Sequence, residues 1–324
     1  MFFVPWILLK ALLTPLPDTV QEQVDDAIGY GFDGMIVYVD QAGKDASYYA
    51  AGWKNREKRI PADPHSLFKI ASIGKLYDAV AIARLVHRKK LSLDKTLADY
   101  FPELEGRIEN AEEITLRMMV QHRSGIPNLT ETPDFWTNPP KSSNEALTRV
   151  LDLPANFTPG EKYEYSNTNY LLISLLIEKV TGGTKFQYIK NEILDPLGLK
   201  NTFGSIHDVN LDDVMSGYYV GVDEDIKAAD YGSMIATAED VGIFLQALND
   251  GSLFDDDEQA IYSSIYKYEH TGLIPGYQSI AKYHKDINAV VVQFVNTSDF
   301  DGYDWSLSEI FYNRIVKILR REKA

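Results

Sequence analysis

The sequence predicts an α/β protein of the α+β type: one antiparallel sheet built from both ends of the chain, flanked by helices, with a mostly helical insertion. Three observations lead there. Strand-like runs cluster near the two ends, GMIVYVD (34–40) and ASYYAAGW (46–53) early, then IYKYEHTG (265–272), YQSIAKYH (277–284) and AVVVQFVNT (289–297) late. Between residues 91 and 225, helical patterns punctuated by prolines 102, 127, 139, 140, 154, 159 and 196 take their place. No internal repeat or low-complexity linker divides the 324 residues. One domain over 18–324 is therefore expected, with a sheet region (18–71 and 230–324) and a helical region (72–229).

Each element has its own signal. DTVQEQVDDAIGYG opens as a helix with Asp18 as cap and Val20, Val24 and Ile28 at successive i, i+4 positions. The first two strands are joined by a turn containing Gly43. The helix beginning at Ser72 carries Leu76, Ala79, Val80, Ala83 and Val86 as a buried stripe. NYLLISLLIEKVTGG (169–183) is an apolar helix stopped by Gly182 and Gly183, and TAEDVGIFLQALNDG (237–251) runs from a Thr237 cap to a Gly251 stop. WSLSEIFYNRIVKILRREK (305–323) closes the chain as an amphipathic helix with its basic residues late, where the helix dipole favours them. The acidic run DDDE (255–258) lacks EF-hand spacing and reads as a solvated loop.

Composition excludes several function classes. A net charge of -15 argues against nucleic-acid binding, which needs a basic face, and against anionic membrane surfaces. The absence of cysteine removes disulfides, thiol catalysis and cysteine-ligated zinc. The six histidines, at 65, 87, 122, 207, 270 and 284, show no ligand-like clustering, so no metal is expected; no organic cofactor is expected either. The hydrophobic N-terminal segment, residues 1–17 (MFFVPWILLKALLTPLP), is interrupted by Pro5 and Lys10 and falls short of the roughly 20 residues of a spanning helix. It lacks a basic n-region and an A-x-A cleavage site, which leaves two readings open: a lead-in packed on the domain, or a degenerate and cleavable export signal.

GYGFDG (29–34) matches a dinucleotide fingerprint in letters, but a helix precedes it and a strand follows, the reverse of the order that places a pyrophosphate on a helix N-terminus. It is a loop. Walker, H-E-x-x-H and G-x-S-x-G motifs are absent. Three short motifs remain. Ser72-Ile73-Gly74-Lys75 spaces a hydroxyl and an amine by one helical turn, so the amine can activate the hydroxyl as a nucleophile. Tyr165-Ser166-Asn167 sits in a turn before the apolar helix, and His270-Thr271-Gly272 ends a strand.

These motifs in this order, with the blocks LFKIASIGK, EEITLRMMVQHRSGIPN, PGEKYEYSNTNYLLISLLIEKVTG, YGSMIATAEDVGIFLQALNDG and HTGLIPGY, resemble the penicillin-recognising serine hydrolase superfamily. The resemblance is to its class C β-lactamase-related branch, with D-alanyl-D-alanine carboxypeptidases, D-aminopeptidases and β-lactamase-like esterases. It covers residue 18 to the end. YSN and HTG stand where class A enzymes carry S-D-N and K-T-G. The resemblance implies a β-lactamase/transpeptidase-like fold and a catalytic group of Ser72 (acylated nucleophile), Lys75 (base) and Tyr165 (proton relay). It implies substrate contacts at Asn167, His270, Thr271 and Gly272, and an oxyanion hole from the backbone N–H groups of Ser72 and of Leu273, the residue after T-G. Lysine titrates near about 10.4, so as a base Lys75 must be neutral or share its proton, and burial and nearby positive charge can lower it by roughly 3 units or more.

His270 replaces the lysine usual in class C β-lactamases, and H-x-G variants resemble the peptidase and esterase branches. The expected activity is hydrolysis of an ester or a D-amino-acid amide or peptide, carboxylesterase or D-alanyl-D-alanine carboxypeptidase-like. The alternatives are a weak β-lactamase, a penicillin-binding protein acylated without turnover, and an inactive scaffold. The implied partner is a small-molecule or peptide substrate, with no nucleic acid and no firm membrane association. The oligomeric state stays open. Relatives acting on cell-wall peptides favour an extracytoplasmic location, periplasmic or secreted, over a cytoplasmic one.

Overall fold

The structure, a computed structural model, describes residues 5–323; the first four residues of the hydrophobic N-terminal segment lie outside the described residues. In chain order the main elements begin with α1 (Trp6–Leu13), α2 (Val20–Ile28), β1 (Gly34–Gln41), β2 (Ser47–Asn55), β3 (Ile60–Pro61), β4 (Phe68–Lys69) and α3 (Gly74–His87). Next come α4 (Leu116–Val120), α5 (Asn167–Thr181), β5 (Thr202–Phe203), β6 (Tyr218–Tyr219), β7 (Ile235–Ala236), α6 (Ala238–Asp250) and α7 (Asp256–Ile265). The chain closes with β8 (His270–Ile274), β9 (Tyr277–His284), β10 (Ala289–Val295), β11 (Thr297–Ser298) and α8 (Asp304–Lys323). The chain forms two compact units. The sheet unit takes the described residues up to Gly74, Leu197–Asp250 and those from Tyr268 onward; the helical unit takes Lys75–Pro196 and Gly251–Lys267.

The sheet unit is built on six antiparallel strands in the order β3-β2-β1-β10-β9-β8. Its centre joins the two ends of the sequence: β1 pairs with β10, Val37 opposite Gln293 and Val39 opposite Val291. Both strands are apolar on both faces because both faces are covered. On one side Met35, Val37, Val39, Val291 and Val295 pack against Val24 of α2 and Phe311 and Ile315 of α8. On the other side α6 lies against β1, β9 and β10. Gly242 of α6 makes that approach close, since a Cβ there would fall 2.2 Å from Cε1 of Tyr38.

Buried Arg314 on α8 ties the chain's start to its end. Its guanidinium donates to Gln23 Oε1 (2.5 Å) and to the carbonyls of Ala11 (3.2 Å), Thr14 (2.7 Å) and Pro15 (2.9 Å). A buried guanidinium needs such partners, because an unpaired charge in the interior is costly. Ala11 of α1 shares the core with α2 and α8, so the described part of the hydrophobic N-terminal segment packs on the sheet unit.

In the helical unit, α5 buries Leu172, Ile173, Leu176 and Ile177, packs on α4 and ends at Gly182, whose φ of 74° is the left-handed stop expected of glycine. The side chains of α3 are buried from Lys75 through Ala83.

The structure departs from the sequence reading at four places. The cap of α2 is Thr19, not Asp18, because Thr19 and Glu22 satisfy each other's backbone N–H groups in a capping box. DDDE is no solvated loop: Asp255 caps α7 through the Glu258 N–H at 2.8 Å, and its acidic neighbours occupy the positive end of that helix. IYKYEHTG becomes strand only at His270, because α7 continues to Ile265. Residues 197–229 fall in the sheet unit, where β5 and β4 both pair with β7 in a small antiparallel sheet, while 251–267 fall in the helical unit.

Gly242→Ala is expected to destabilise the protein by about 1–3 kcal/mol through overpacking against Tyr38. Thermal unfolding checks this, and an unchanged midpoint would contradict the close helix-on-sheet approach.

Candidate active site

Ser72 lies in a 3-10 turn, Ala71–Ile73, between β4 and α3. The turn is strained, because Ala71 has φ of 50°, a left-handed conformation that costs an L-residue about 1 kcal/mol. Its surroundings hold it there. Ala71 N–H donates to Ser233 Oγ (2.8 Å), which donates on to the Met234 carbonyl (2.7 Å), and Ile70 N–H reaches that same carbonyl at 3.0 Å. Strain of this kind persists where neighbouring bonds over-determine the backbone, and it concentrates at functional sites.

Strand β8 ends the sheet and lies along this turn. Gly272 permits the contact: a Cβ there would stand 2.6 Å from the Ile70 carbonyl and 2.9 Å from Ala71 Cβ. Ser279 Oγ on β9 donates to the same Ile70 carbonyl at 3.1 Å. The β8–β9 hairpin closes with Ile274 opposite Tyr277, so the next pair, Leu273 and Gln278, is a non-hydrogen-bonded one and Leu273 N–H faces the free edge of β8. The sheet unit thus brings together Ser72, Gly272 and Leu273. His270 is buried at the start of β8, its Nδ1 donating to the Thr271 carbonyl, so that ring nitrogen is directed at its own strand.

In the helical unit, Lys75 enters in the first turn of α3 and is buried. Its ammonium donates to Asn167 Oδ1 at 2.8 Å and lies 5.1 and 5.3 Å from the ring centroids of Tyr165 and Tyr170, within cation–π range. The Asn167 amide is oriented by its other contacts: Nδ2 donates to Asn128 Oδ1 (3.3 Å) and Thr130 Oγ1 (3.1 Å), which leaves Oδ1 for the lysine. Asn167 N–H also donates to Asn128 Oδ1, at 3.0 Å. The 127–130 loop is itself fastened to α5, because Thr168 Oγ1 donates to the Pro127 carbonyl (2.6 Å) and accepts from Leu129 N–H (3.0 Å).

Tyr165 is seated on His122, whose ring stacks on it at 4.3 Å between centroids and on Tyr170 at 5.1 Å. Burial pushes the His122 imidazole down to about 3, helped by the charges of Lys75 and Lys267. Nδ1 accepts the Ser166 N–H at 3.2 Å, so the proton of the neutral ring sits on Nε2, a buried atom with no hydrogen-bond partner among the described residues. Beside Tyr165 a cavity of about 320 Å³ opens, walled also by Gln121, His122, Tyr163, Tyr266 and Lys267.

The predicted residues thus gather as two local constellations, Ser72 with Gly272 and Leu273 in one unit and Lys75 with Tyr165 and Asn167 in the other. Asn167 thus holds Lys75 through Oδ1, while its Nδ2 donates to Asn128 and Thr130. Sequence reasoning missed His122, Asn128, Thr130 and Tyr170, and the strained Ala71. His122 and Asn128 both lie in the block QHRSGIPN, and a histidine met singly gives no hint that it will stack beneath a tyrosine 43 residues away in sequence.

Because His122 falls from 6.5 unfolded to about 3 folded, the unfolded chain binds more protons between those values. Stability present above pH 6.5 is therefore lost as pH falls towards 3, by up to about 1.4 kcal/mol per pH unit from this group. His122 has a left-handed φ of 55°, so His122→Asn, which tolerates that conformation and keeps an acceptor for Ser166, should flatten that acid limb. Denaturant midpoints across this range check it, and equal slopes in the two proteins would rule out a buried neutral imidazole.

Comparison with known proteins places this geometry. The chain is 28% identical over 193 residues to Protein flp of Staphylococcus aureus (strain MW2), a match covering 58% of this chain and 39% of that protein. It is 27% identical over 201 residues to the N-acetylmuramyl-L-alanine amidase of Bacillus subtilis (strain 168), covering 56% and 45%. The chain spans less than half the length of both relatives. The crystal structure of D-amino acid amidase from Ochrobactrum anthropi SV3, complexed with L-phenylalanine amide, aligns with a TM-score of 0.83 and 22% identity over 98% of this chain and 99% of that one. A penicillin binding protein from Bacillus halodurans aligns with a TM-score of 0.78 and 22% identity over 93% and 99%. These structural likenesses establish a shared β-lactamase/transpeptidase-like fold. The Beta-lactamase family profile matches residues 12–264, most of the sequence and both the S-x-x-K and Y-S-N motifs, so the chain belongs to the β-lactamase family of serine hydrolases.

Proposed function

We propose that this protein hydrolyses an amide, peptide or ester of a D-amino acid through a covalent acyl-enzyme on Ser72. The observation that carries the reading is the 2.8 Å bond from the buried Lys75 ammonium to Asn167, beneath the Tyr165 ring. A lysine held this way, three residues after a serine on a strained turn, is arranged for proton transfer rather than for solubility. The D-amino acid amidase that shares the fold points to the same substrate class.

The chemistry then follows. Ser72 Oγ attacks the acyl carbon while its proton passes, through the Tyr165 hydroxyl, to the lone pair of Lys75 in its neutral amine form. The N–H groups of Ser72 and Leu273 donate to the developing oxyanion, an interaction whose loss typically costs about 3–4 kcal/mol. The carbon–nitrogen or carbon–oxygen bond breaks as Tyr165 returns the proton to the leaving group. Water then attacks the ester on Ser72, gives its proton to the same pair and restores the serine as the acid departs. Thr271 and Gly272 line the acyl side along β8. Histidine at 270, with no permanent charge, favours this reading over a β-lactamase that relies on a fixed cation for the substrate carboxylate.

Mass spectrometry of the intact protein with a short-chain nitrophenyl ester tests the proposal. A transient acyl adduct with continued nitrophenol release is expected for the wild type, and neither for Ser72→Ala. Turnover retained in Ser72→Ala would overturn the mechanism, and a permanent adduct would point instead to a penicillin-binding protein without turnover. Lys75→Ala and Tyr165→Phe should each lower kcat/KM by several orders of magnitude, and the double variant by little more than the worse single one, because both serve one proton path.

A further inference from the structure

The peptide group that joins Ile70 to Ala71, just before Ser72, is gripped at both ends by side chains from distant parts of the sequence. Its N–H donates to Ser233 Oγ at 2.8 Å, and its carbonyl accepts from Ser279 Oγ at 3.1 Å. Both serines are buried. The same carbonyl accepts the Ile73 N–H at 3.2 Å, the bond that closes the 3-10 turn carrying Ser72. Ser233 spends its own proton on the Met234 carbonyl (2.7 Å), so towards Ala71 its oxygen acts only as an acceptor. The segment that carries Ser233 is pinned in turn. The ammonium of buried Lys69 donates to the Ala229 carbonyl at 2.6 Å, and the Lys69 backbone pairs with Ile235 in the small sheet.

Resting on the reading of Ser72 as the nucleophile, we propose that Ser233 and Ser279 are positioning residues for the acylation step, and that together they lock the Ile70–Ala71 peptide in the orientation that presents Ser72 for attack. Ala71 sits at φ 50° and Ile70 at ψ -4°. Turning the peptide between them over by half a revolution would carry Ala71 to φ of about -130° and Ile70 to ψ near about 180°, both inside the broad extended region open to any L-residue. That form relieves the strain of a left-handed alanine, so the surroundings must hold it off. In it the Ile70 carbonyl would face the Ser233 oxygen, two acceptors with no proton between them, and the bond from Ile73 would be broken. Ser72 is the next residue, so the directions of its N–H and its Oγ follow the backbone angles at Ala71. The hydroxyl protons of both serines are committed to backbone carbonyls, so the serines act through the peptide and not on the substrate.

Nitrophenyl-ester turnover tests the clamp. Ser233→Ala should lower kcat by about tenfold or more while KM stays within about twofold, because the turned-over form binds the ester without attacking it. Adding Ala71→Gly should recover most of that loss, since glycine adopts the left-handed conformation without strain and holds the turn unaided. A merely destabilised protein would not be repaired by a second substitution that adds backbone freedom. Ser279→Ala, which frees the other end of the same peptide, should repeat the pattern and serves if Ser233→Ala fails to fold. An unchanged kcat in the folded serine variants, or a loss that Ala71→Gly leaves untouched, overturns the clamp. The crystal structure of Ser233→Ala reads the same point without turnover: a negative φ at Ala71 is expected there, and a φ still near 50° overturns the proposal. Absence of an acyl adduct on the wild type overturns instead the reading of Ser72 as the nucleophile, and leaves the φ of Ala71 in the variant to judge the clamp.

Discussion

A lysine ammonium buried in the helical unit is the constraint around which that unit is organised. Taking a charge out of water is costly unless hydrogen bonds and favourable fields replace the lost hydration. Lys75 receives one carbonyl oxygen from Asn167 and the faces of two tyrosine rings, Tyr165 and Tyr170. Each of these must itself be held. Asn128 and Thr130 orient the Asn167 amide, the Pro127–Thr168 contact fastens their loop to α5, and His122 stacks between the tyrosines. Burial keeps that imidazole neutral, which avoids placing a second cation against the lysine. One buried charge thus accounts for the polar residues of this region as a single network.

The sheet unit solves a different problem, that of presenting Ser72 on a backbone that does not relax. A left-handed alanine, a serine accepting its N–H, and a glycine whose absent Cβ admits the edge strand are three separate devices for one short turn. An edge strand is normally a liability, since its outward N–H groups invite another chain to pair. Here the outward N–H of Leu273 lies on a strand that runs alongside the Ser72 turn. In the proposed mechanism, the donor that would elsewhere invite aggregation meets a developing negative charge.

Much of the architecture was legible because it rests on short-range rules. Alternation and apolar runs marked β1, β2, β9 and β10, and glycine stops marked the ends of α5 and α6. The failures were local competitions. Thr19 displaced Asp18 as a cap because Glu22 completes a reciprocal pair with it, and the acidic run at 255 became a helix start because four acidic side chains suit the positive end of a helix.

What the sequence by itself determined is the family, the order of the three motifs and the residue types needed for acyl transfer, since these are properties of local pattern. Only the tertiary structure decided that Asn167 spends its amide donors on Asn128 and Thr130, that His122 underlies Tyr165, and that a cavity opens beside that tyrosine. The reason is physical. His122 and Tyr165, or Tyr163 and Lys267, lie tens to a hundred residues apart in the sequence. No periodicity or propensity links them, and their meeting is fixed by the packing of the folded helical unit. Chemistry that depends on residue type is written along the chain, whereas chemistry that depends on which groups share a dry, low-dielectric space exists only once the chain has folded.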